Sequence, residues 1–414
     1  MTVTFLFDLD MTLLDSSSIA HYRSSKDWNS VRNNMGSVKP FAVGTFPPHE
    51  LPARLSALGY KTGIVTSSPR GYAESLIKSF SIYHDVLVAY HDTAEHKPDP
   101  APIQKAMELL SVTPAETLYV GDEVIDVEAS YNAGVQSIGA GWGVLDFDAF
   151  SYGAPDILFM SPDTLLKTTK MVQRRYFADV FARNKQPTSH QGSVLPCGDA
   201  PTKYALGRYF ARGDIRSAKC KLSDLILKFK DDDSPVEAFS GAMSAFLERL
   251  IERKKWQPDH IVSVPPKPSQ TRNRFEALMV STLSLYGKPL VYNADGLTCV
   301  REVANYKTLG PTERSAAIHG AFATKYSWAD KRVLLVDDVL TTGGTTSECV
   351  RVLQNAGAAE VRVVALARDQ RNLERKVCPR CGQRLVIRVR GWDQTKFWAC
   401  SAFKNYGCTY TASL

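Results

Sequence analysis

The chain has 414 residues, 44% hydrophobic and 22% charged, which excludes a collagenous, coiled-coil or mostly disordered protein and leaves room for about two to four domains. No stretch reaches the roughly 18 uninterrupted apolar residues of a membrane helix, and the opening MTVTFLFDLD has no basic leader, so no membrane partner and a cytoplasmic location are expected. The net charge of +7 is local: residues 371–414 carry nine Lys/Arg against Glu374 and Asp393, while the remainder balances at 41 basic and 41 acidic residues, which points to a polyanion-binding tail.

From residue 1 to 168, short apolar runs alternate with helix-like stretches. VTFLF (3–7), KTGIVT (61–66), DVLVAY (85–90), TLYVG (117–121) and VQSIGA (135–140) read as strands, with helices over 70–80, 101–111 and 125–134. This alternation predicts βαβ units and a parallel sheet. Residues 169–202 include the polar, aperiodic NKQPTSHQGSVLPCGDAPT and read as a linker. A second α/β segment, 203–370, follows. Its helix over 236–254 places Phe239, Met243, Phe246, Leu247 and Leu250 on one face. HIVSVP (259–264), RVLLVD (332–337) and EVRVVALA (360–367) are its strand candidates, and a helix over 345–356 stops at Gly357.

Asp8 and Asp10 follow the first strand. Residues two apart in a strand face one side, at the carboxyl edge where parallel sheets bind ligands. Two buried like charges need a cation or a proton. Asp122 and Asp126, one helical turn apart, add oxygen ligands suited to Mg²⁺. Thr66 and Ser67 end another strand as hydroxyl donors, and Lys97 lies in the stiff loop HKPDP.

In order, DLDMT, IVTS, HKPDP and GDEVID resemble the four motifs of the haloacid-dehalogenase-like (HAD) phosphohydrolases, over about residues 1–145. The resemblance implies that Asp8 attacks phosphorus and Asp10 is the acid–base. Thr66 and Lys97 would then hold the phosphoryl oxygens, and Asp8, Asp10, Asp122 and Asp126 surround Mg²⁺. Dehalogenases lack the second aspartate, so Asp10 favours a phosphatase. Only about fifty polar residues separate Asp10 from IVTS, too few for a large cap, so a rather open site is expected.

RVLLVDDVLTTGGTTSECV (332–350) runs a strand into Asp337 and Asp338, then into a loop of Thr341, Thr342, Gly343, Gly344 and Thr345 that opens a helix. Such a loop cradles a phosphate with backbone N–H groups and hydroxyls, while the two acids accept ribose hydroxyls. The stretch resembles the phosphoribosyl pyrophosphate (PRPP) motif of type I phosphoribosyltransferases. VSVPPKPSQTRNRFEAL and YKTLGPTERSAAIHGAFA narrow the likeness to the ComF-like branch, over about 203–368. It implies that Lys267 faces pyrophosphate, with Arg272, Arg274 and Arg314 as further basic candidates. Transfer and metabolite sensing without transfer both remain open on this fold.

Cys378, Cys381, Cys400 and Cys408 have the spacing of a closed four-thiolate Zn²⁺ site, with free thiols or an iron centre as the alternatives. The 374–414 stretch resembles the four-cysteine zinc ribbon at the C-terminus of type IA topoisomerases, and a segment this short needs its metal to fold. Trp392, Phe397, Trp398, Phe403, Tyr406 and Tyr410 lie among its cations, a pattern suited to single-stranded nucleic acid or to a small core with a solvated basic face.

The chain therefore reads as two Rossmann-like parallel-sheet α/β domains with a small C-terminal ribbon. The leading functional expectation is a bifunctional nucleotide-metabolism protein: a Mg²⁺-dependent phosphatase, acting on a phosphorylated small molecule or nucleotide, fused to a PRPP-binding phosphoribosyltransferase. The alternative is a phosphatase that trims nucleic-acid ends, with the ribbon for delivery and the PRPP fold as a sensor.

Overall fold

A computed structural model describes residues 3–168, 175–183, 192–198, 202–302, 317–373, 376–403 and 407–414. The chain divides into two units, Met1–Arg175 and Tyr176–Leu414. In the first, the apolar runs become strands β1 (Thr4–Phe7), β2 (Lys61–Val65), β3 (Val86–Val88), β4 (Thr117–Gly121) and β5 (Gln136–Ala140). A sixth strand absent from the sequence reading, β6 (Ile157–Phe159), closes the edge. All neighbours pair in parallel, in the order β3-β2-β1-β4-β5-β6.

Every residue of β1 is buried, because both faces of the sheet are covered. Phe5 and Phe7 point into one layer and Leu6 into the other, as the two-residue period requires. The Leu6 layer holds Ile103 and Met107 of helix Ala101–Leu110 and Ala129 of helix Val124–Ala133. The Phe5/Phe7 layer also takes Ile19, Val31, Val38 and Phe46 from the polar-looking insertion between β1 and β2. That insertion folds as short helices, Ala20–Ser24, Trp28–Asn34 and Leu51–Ser56 among them.

The second unit begins inside the expected linker. Phe177 and Ala178 of helix Phe177–Phe181 are fully buried in its core, and β7 (Leu195–Pro196) joins its sheet. A few apolar anchors outweigh the polar composition of 169–202, so the domain starts near residue 176 rather than 203. The sheet continues with β8 (Lys203–Ala205), β9 (Arg208–Tyr209), β10 (His260–Ser263) and β11 (Val291–Tyr292). After the small antiparallel pair β12 (Thr298–Cys299) and β13 (Phe322–Ala323) come β14 (Arg332–Leu340) and β15 (Glu360–Asp369). The main order is β11-β10-β14-β15-β8-β7, with β9 also on β15. The pairs are parallel except β7–β8, which is antiparallel.

Three antiparallel strands, β16 (Leu385–Val389), β17 (Lys396–Cys400) and β18 (Thr411–Ser413), end the chain. This sheet is docked on the second unit rather than standing apart. Its small core takes Ile215 and Ala218 as neighbours. The Ile387 N–H donates to the Arg212 carbonyl at 2.6 Å. Lys396 Nζ donates to the Ala218 carbonyl at 3.0 Å and pairs with Asp224 at 2.8 Å. Among the described residues no helix is long and apolar enough to cross a membrane.

Candidate active sites

β1 delivers Asp8 to the carboxyl edge of the first sheet, where its N–H donates to the Val120 carbonyl of β4 at 2.8 Å. Asp122 and Asp126 follow β4, and carboxylate oxygens of Asp8, Asp122 and Asp126 lie within 4.8 Å of one another. Gly121 leaves room for this, since a Cβ there would sit 2.4 Å from the Asp126 carboxyl carbon. Lys97 Nζ donates to Asp8 Oδ1 and Asp126 Oδ1, both at 2.8 Å, and to the Tyr119 hydroxyl at 2.9 Å. The Thr12 hydroxyl donates to Asp122 Oδ1 at 2.7 Å, and Trp142 Nε1 pins Thr12 through its carbonyl at 2.9 Å.

One ammonium thus pairs with two of the three clustered carboxylates. Burial pushes the Asp8 carboxyl up to about 7 against the pull of Lys97, and the charges of Asp126 and Asp10 add to the rise. Burial, then Asp126 and Asp8, also raise Asp122 well above the carboxylate range. An all-oxygen set with surplus negative charge fits a hard divalent cation.

Asp10 does not join that cluster, contrary to the expected four-aspartate set. Its Oδ1 accepts from the Tyr72 hydroxyl at 2.6 Å; its Oδ2 accepts from the Ser68 hydroxyl at 2.7 Å and meets Arg23 NH1 at 2.8 Å. Three donors satisfy its oxygens, so the side chain turns from the other acids. The hydroxyl donor is Ser68, while Ser67 is exposed; the chain has left β2 after Val65, and strand alternation no longer assigns faces. Thr66 is buried and its hydroxyl oxygen accepts from the Ser68 N–H at 3.1 Å. Arg23 comes from helix Ala20–Ser24, so the short insertion covers the Asp10 carboxylate, which is only 6% exposed. The site is less open than the length of the insertion suggests. Arg23, Ser68, Tyr72 and Thr12 are the residues that sequence reasoning missed here. An arginine in a short insertion just after a strand-end acid pair is the available signal.

In the second unit a cavity of about 610 Å³ lies at the ends of β10 and β14. Of the expected residues it is lined by Lys267, Arg272, Arg274, Asp337, Asp338 and Thr345, and it adds Lys230 and Arg301, which sequence reasoning missed. Thr341, Thr342, Gly343 and Gly344 are not on its wall. They form the turn that starts helix Gly344–Asn355, with Gly343 at φ +77°, a conformation glycine adopts without strain. Arg368, nearly fully buried, donates to the Thr341 carbonyl and holds the turn from β15. Burial and the adjacent Asp338 push the Asp337 carboxyl well up. Asp338 Oδ2 pairs with Arg274 at 3.1 Å. Lys267 pairs with Glu302 at 3.7 Å, and Arg314 lies outside the described residues.

Cys378, Cys381, Cys400 and Cys408 converge, all four Sγ atoms lying within 4.8 Å of one another. Four thiolates at that spacing are a closed ligand set for a soft or borderline cation. Of the six aromatic residues, Trp398 is core at 1% exposure and Trp392 is 82% exposed. Arg390 stands 5.7 Å from the Trp392 ring and 5.1 Å from Phe397, and Arg388 stands 5.6 Å from Phe403. Tyr406 lies outside the described residues.

Residues 48–140 match the haloacid dehalogenase-like hydrolase family, a span that contains Thr66, Lys97, Asp122 and Asp126 and begins after Asp8 and Asp10. Residues 285–384 match the phosphoribosyl transferase domain. The PpaX protein of Caldanaerobacter subterraneus subsp. tengcongensis is 42% identical over 123 residues, 29% of this chain and 56% of that protein. Pyrophosphatase PpaX of Bacillus mycoides is 40% identical over 96 residues, 23% of this chain and 45% of the relative. Phosphoglycolate phosphatase of Salmonella paratyphi A is 33% identical over 114 residues, 27% of this chain and 45% of the relative. The chain spans about half the length of the curated relatives it matches. The first unit therefore carries a haloacid dehalogenase-like hydrolase domain, and the second a phosphoribosyl transferase domain.

Proposed function

We propose that the first domain is a divalent-metal-dependent phosphohydrolase working through an aspartyl-phosphate, and that the second binds PRPP and transfers its ribosyl group. The observation that carries the first half is the division of labour among the acids. Asp8 shares Lys97 with Asp126, whereas Asp10 is held apart by Arg23, Ser68 and Tyr72. The first environment sets Asp8 among the metal-ligating acids beside a cation, as a nucleophile on phosphorus requires, and the second keeps Asp10 outside that set, where it is left for proton transfer. Asp8 attacks phosphorus, the bond from phosphorus to the leaving oxygen breaks, and Asp10 gives that oxygen a proton. Water then cleaves the acyl phosphate, yielding phosphate and free Asp8, with Asp10 taking the water's proton. Asp8, Asp122 and Asp126 suit Mg²⁺, which when bound would neutralise charge on the phosphoryl oxygens.

Phosphoribosyl transfer releases pyrophosphate, and one relative of the first domain is a pyrophosphatase. Pyrophosphate is thus our first choice of substrate, because its hydrolysis would pull the transfer forward. The Asp337/Asp338 pair and the 337–345 turn would hold the ribose 5-phosphate. The four cysteines would hold Zn²⁺. The test is phosphate release from pyrophosphate, phosphoglycolate and a mononucleotide panel with Mg²⁺, with EDTA as the control. The reading expects metal-dependent release that Asp8→Asn removes; release that survives the substitution refutes the mechanism.

A second reading has a nucleic-acid end as the substrate. It is favoured by Trp392, 82% exposed and flanked by Arg390 on the C-terminal sheet. Single-stranded DNA or RNA is the partner that such a surface fits.

A further inference from the structure

Asp10 is bound by an arginine that has a donor to spare. Arg23 NH1 meets Asp10 Oδ2 at 2.8 Å, yet its Nε–H is enclosed and has no partner among the described residues. The side chain is 20% exposed and faces Asp10, Asp8 and Glu123, whose charges hold it protonated. A guanidinium carries five donors in a rigid fork. The Ser68 and Tyr72 hydroxyls already serve Asp10, so Arg23 is not needed merely to satisfy that carboxylate.

Its position follows from the chemistry proposed above, on which this inference rests. The acid that protonates a leaving oxygen stands within hydrogen-bond reach of it, about 2.6–3.2 Å. A guanidinium bonded to that acid therefore lies one group away from the leaving oxygen. Lys97, the cation that pairs with Asp8, is already shared with Asp126 and Tyr119. We infer that Arg23 is a specificity-determining residue that binds a second negative charge on the leaving group, the distal phosphate of pyrophosphate or the carboxylate of a phosphorylated hydroxy acid. A leaving group with no charge gains nothing from the guanidinium, whereas an anionic one gains a charged hydrogen bond. Discrimination of this kind needs no large cap, because one side chain of a short helix supplies it.

The test compares pyrophosphate and 2-phosphoglycolate with ethyl phosphate, in which a methyl group stands where phosphoglycolate has its carboxylate. Wild type is expected to prefer the two doubly anionic substrates in kcat/KM. In Arg23→Gln that preference should fall by about 10- to 100-fold, the worth of one charged hydrogen bond. Arg23→Lys, which keeps a point charge, should retain part of it and serves if the glutamine variant does not fold. Equal losses on all three substrates in either variant would overturn the inference, since Arg23 would then act only through Asp10. A wild type inert on all three would remove the hydrolase reading and this inference with it; an active wild type whose preference does not move removes the inference alone.

Discussion

Both units end a central parallel strand in two aspartates, yet the two pairs are built to opposite plans. Asp8 and Asp10 are two residues apart, and each carboxylate already has cationic or hydroxyl partners in place. Asp337 and Asp338 are adjacent on β14, and they border a cavity of about 610 Å³ with one arginine partner, Arg274, for Asp338. A site that forms a covalent bond needs its groups fixed beforehand, whereas a site that binds a large polar ligand leaves its acids for that ligand to satisfy. The difference teaches that strand-end acids mark an edge of the sheet, and that their neighbours decide what they do there.

The sharpest way to break this comparison is at Asp8. Asp8→Asn should lower phosphate release by roughly 10⁴-fold or more, measured with the fold checked by circular dichroism. The same residue carries a pH signature. Its folded-state carboxyl is raised to about 7, so without metal the folded state binds a proton that the unfolded chain has lost between about pH 4 and 7. Metal-free stability should therefore fall as pH rises through that window, and urea midpoints across it would show a shallower slope in Asp8→Asn, the buried Asp122 and Asp337 keeping their share.

Asp10→Asn should cost less, ~10²–10⁴-fold in turnover, because it removes proton transfer but leaves the nucleophile. A loss equal to that of Asp8→Asn would erase the proposed split of roles. In the second unit, Asp337→Asn/Asp338→Asn should weaken PRPP binding by roughly 2–4 kcal/mol in calorimetry with Mg²⁺, two hydrogen-bonding acids being lost. Unchanged binding would mean that the pair does not contact ribose. The smallest effect is expected on the C-terminal sheet. Trp392→Ala should leave the melting temperature in place and cost ~1–3 kcal/mol in single-strand binding if that ring stacks on a base. Trp398→Ala, at the buried position, should destabilise the sheet instead.

The strands and the acid motifs were legible because they are long apolar runs ending in charged residues, a pattern local in sequence. What was not legible depends on contacts between distant segments. Arg23 sits on a five-residue helix, too short for apolar periodicity to reveal. Ser68 rather than Ser67 reaches Asp10 because the backbone turns after β2, where a two-residue rule no longer applies. The linker reading failed on two apolar anchors, Phe177 and Leu195, which are fully buried although their surroundings are polar. The C-terminal sheet looked separable because its cysteines are close in sequence, yet Lys396 and Ile387 reach back to residues 212–224.

That docking has a thermodynamic consequence. The platform that receives the sheet is tied to the segment after β15: Arg216 donates to the Arg371 carbonyl, and Asn372 Nδ2 donates to the Gly213 carbonyl at 2.8 Å. Three residues before Arg371, Arg368 fastens the Thr341 turn. A metal on the four thiolates and a ligand in the cavity at the ends of β10 and β14 would therefore act on one connected segment. Linkage makes any such coupling reciprocal: if metal tightens binding of the cavity's ligand by some factor, the ligand raises the affinity for the metal by the same factor. Chelator titrations with and without PRPP measure that factor directly, and a value of one would mean that the two sites share a scaffold without sharing free energy.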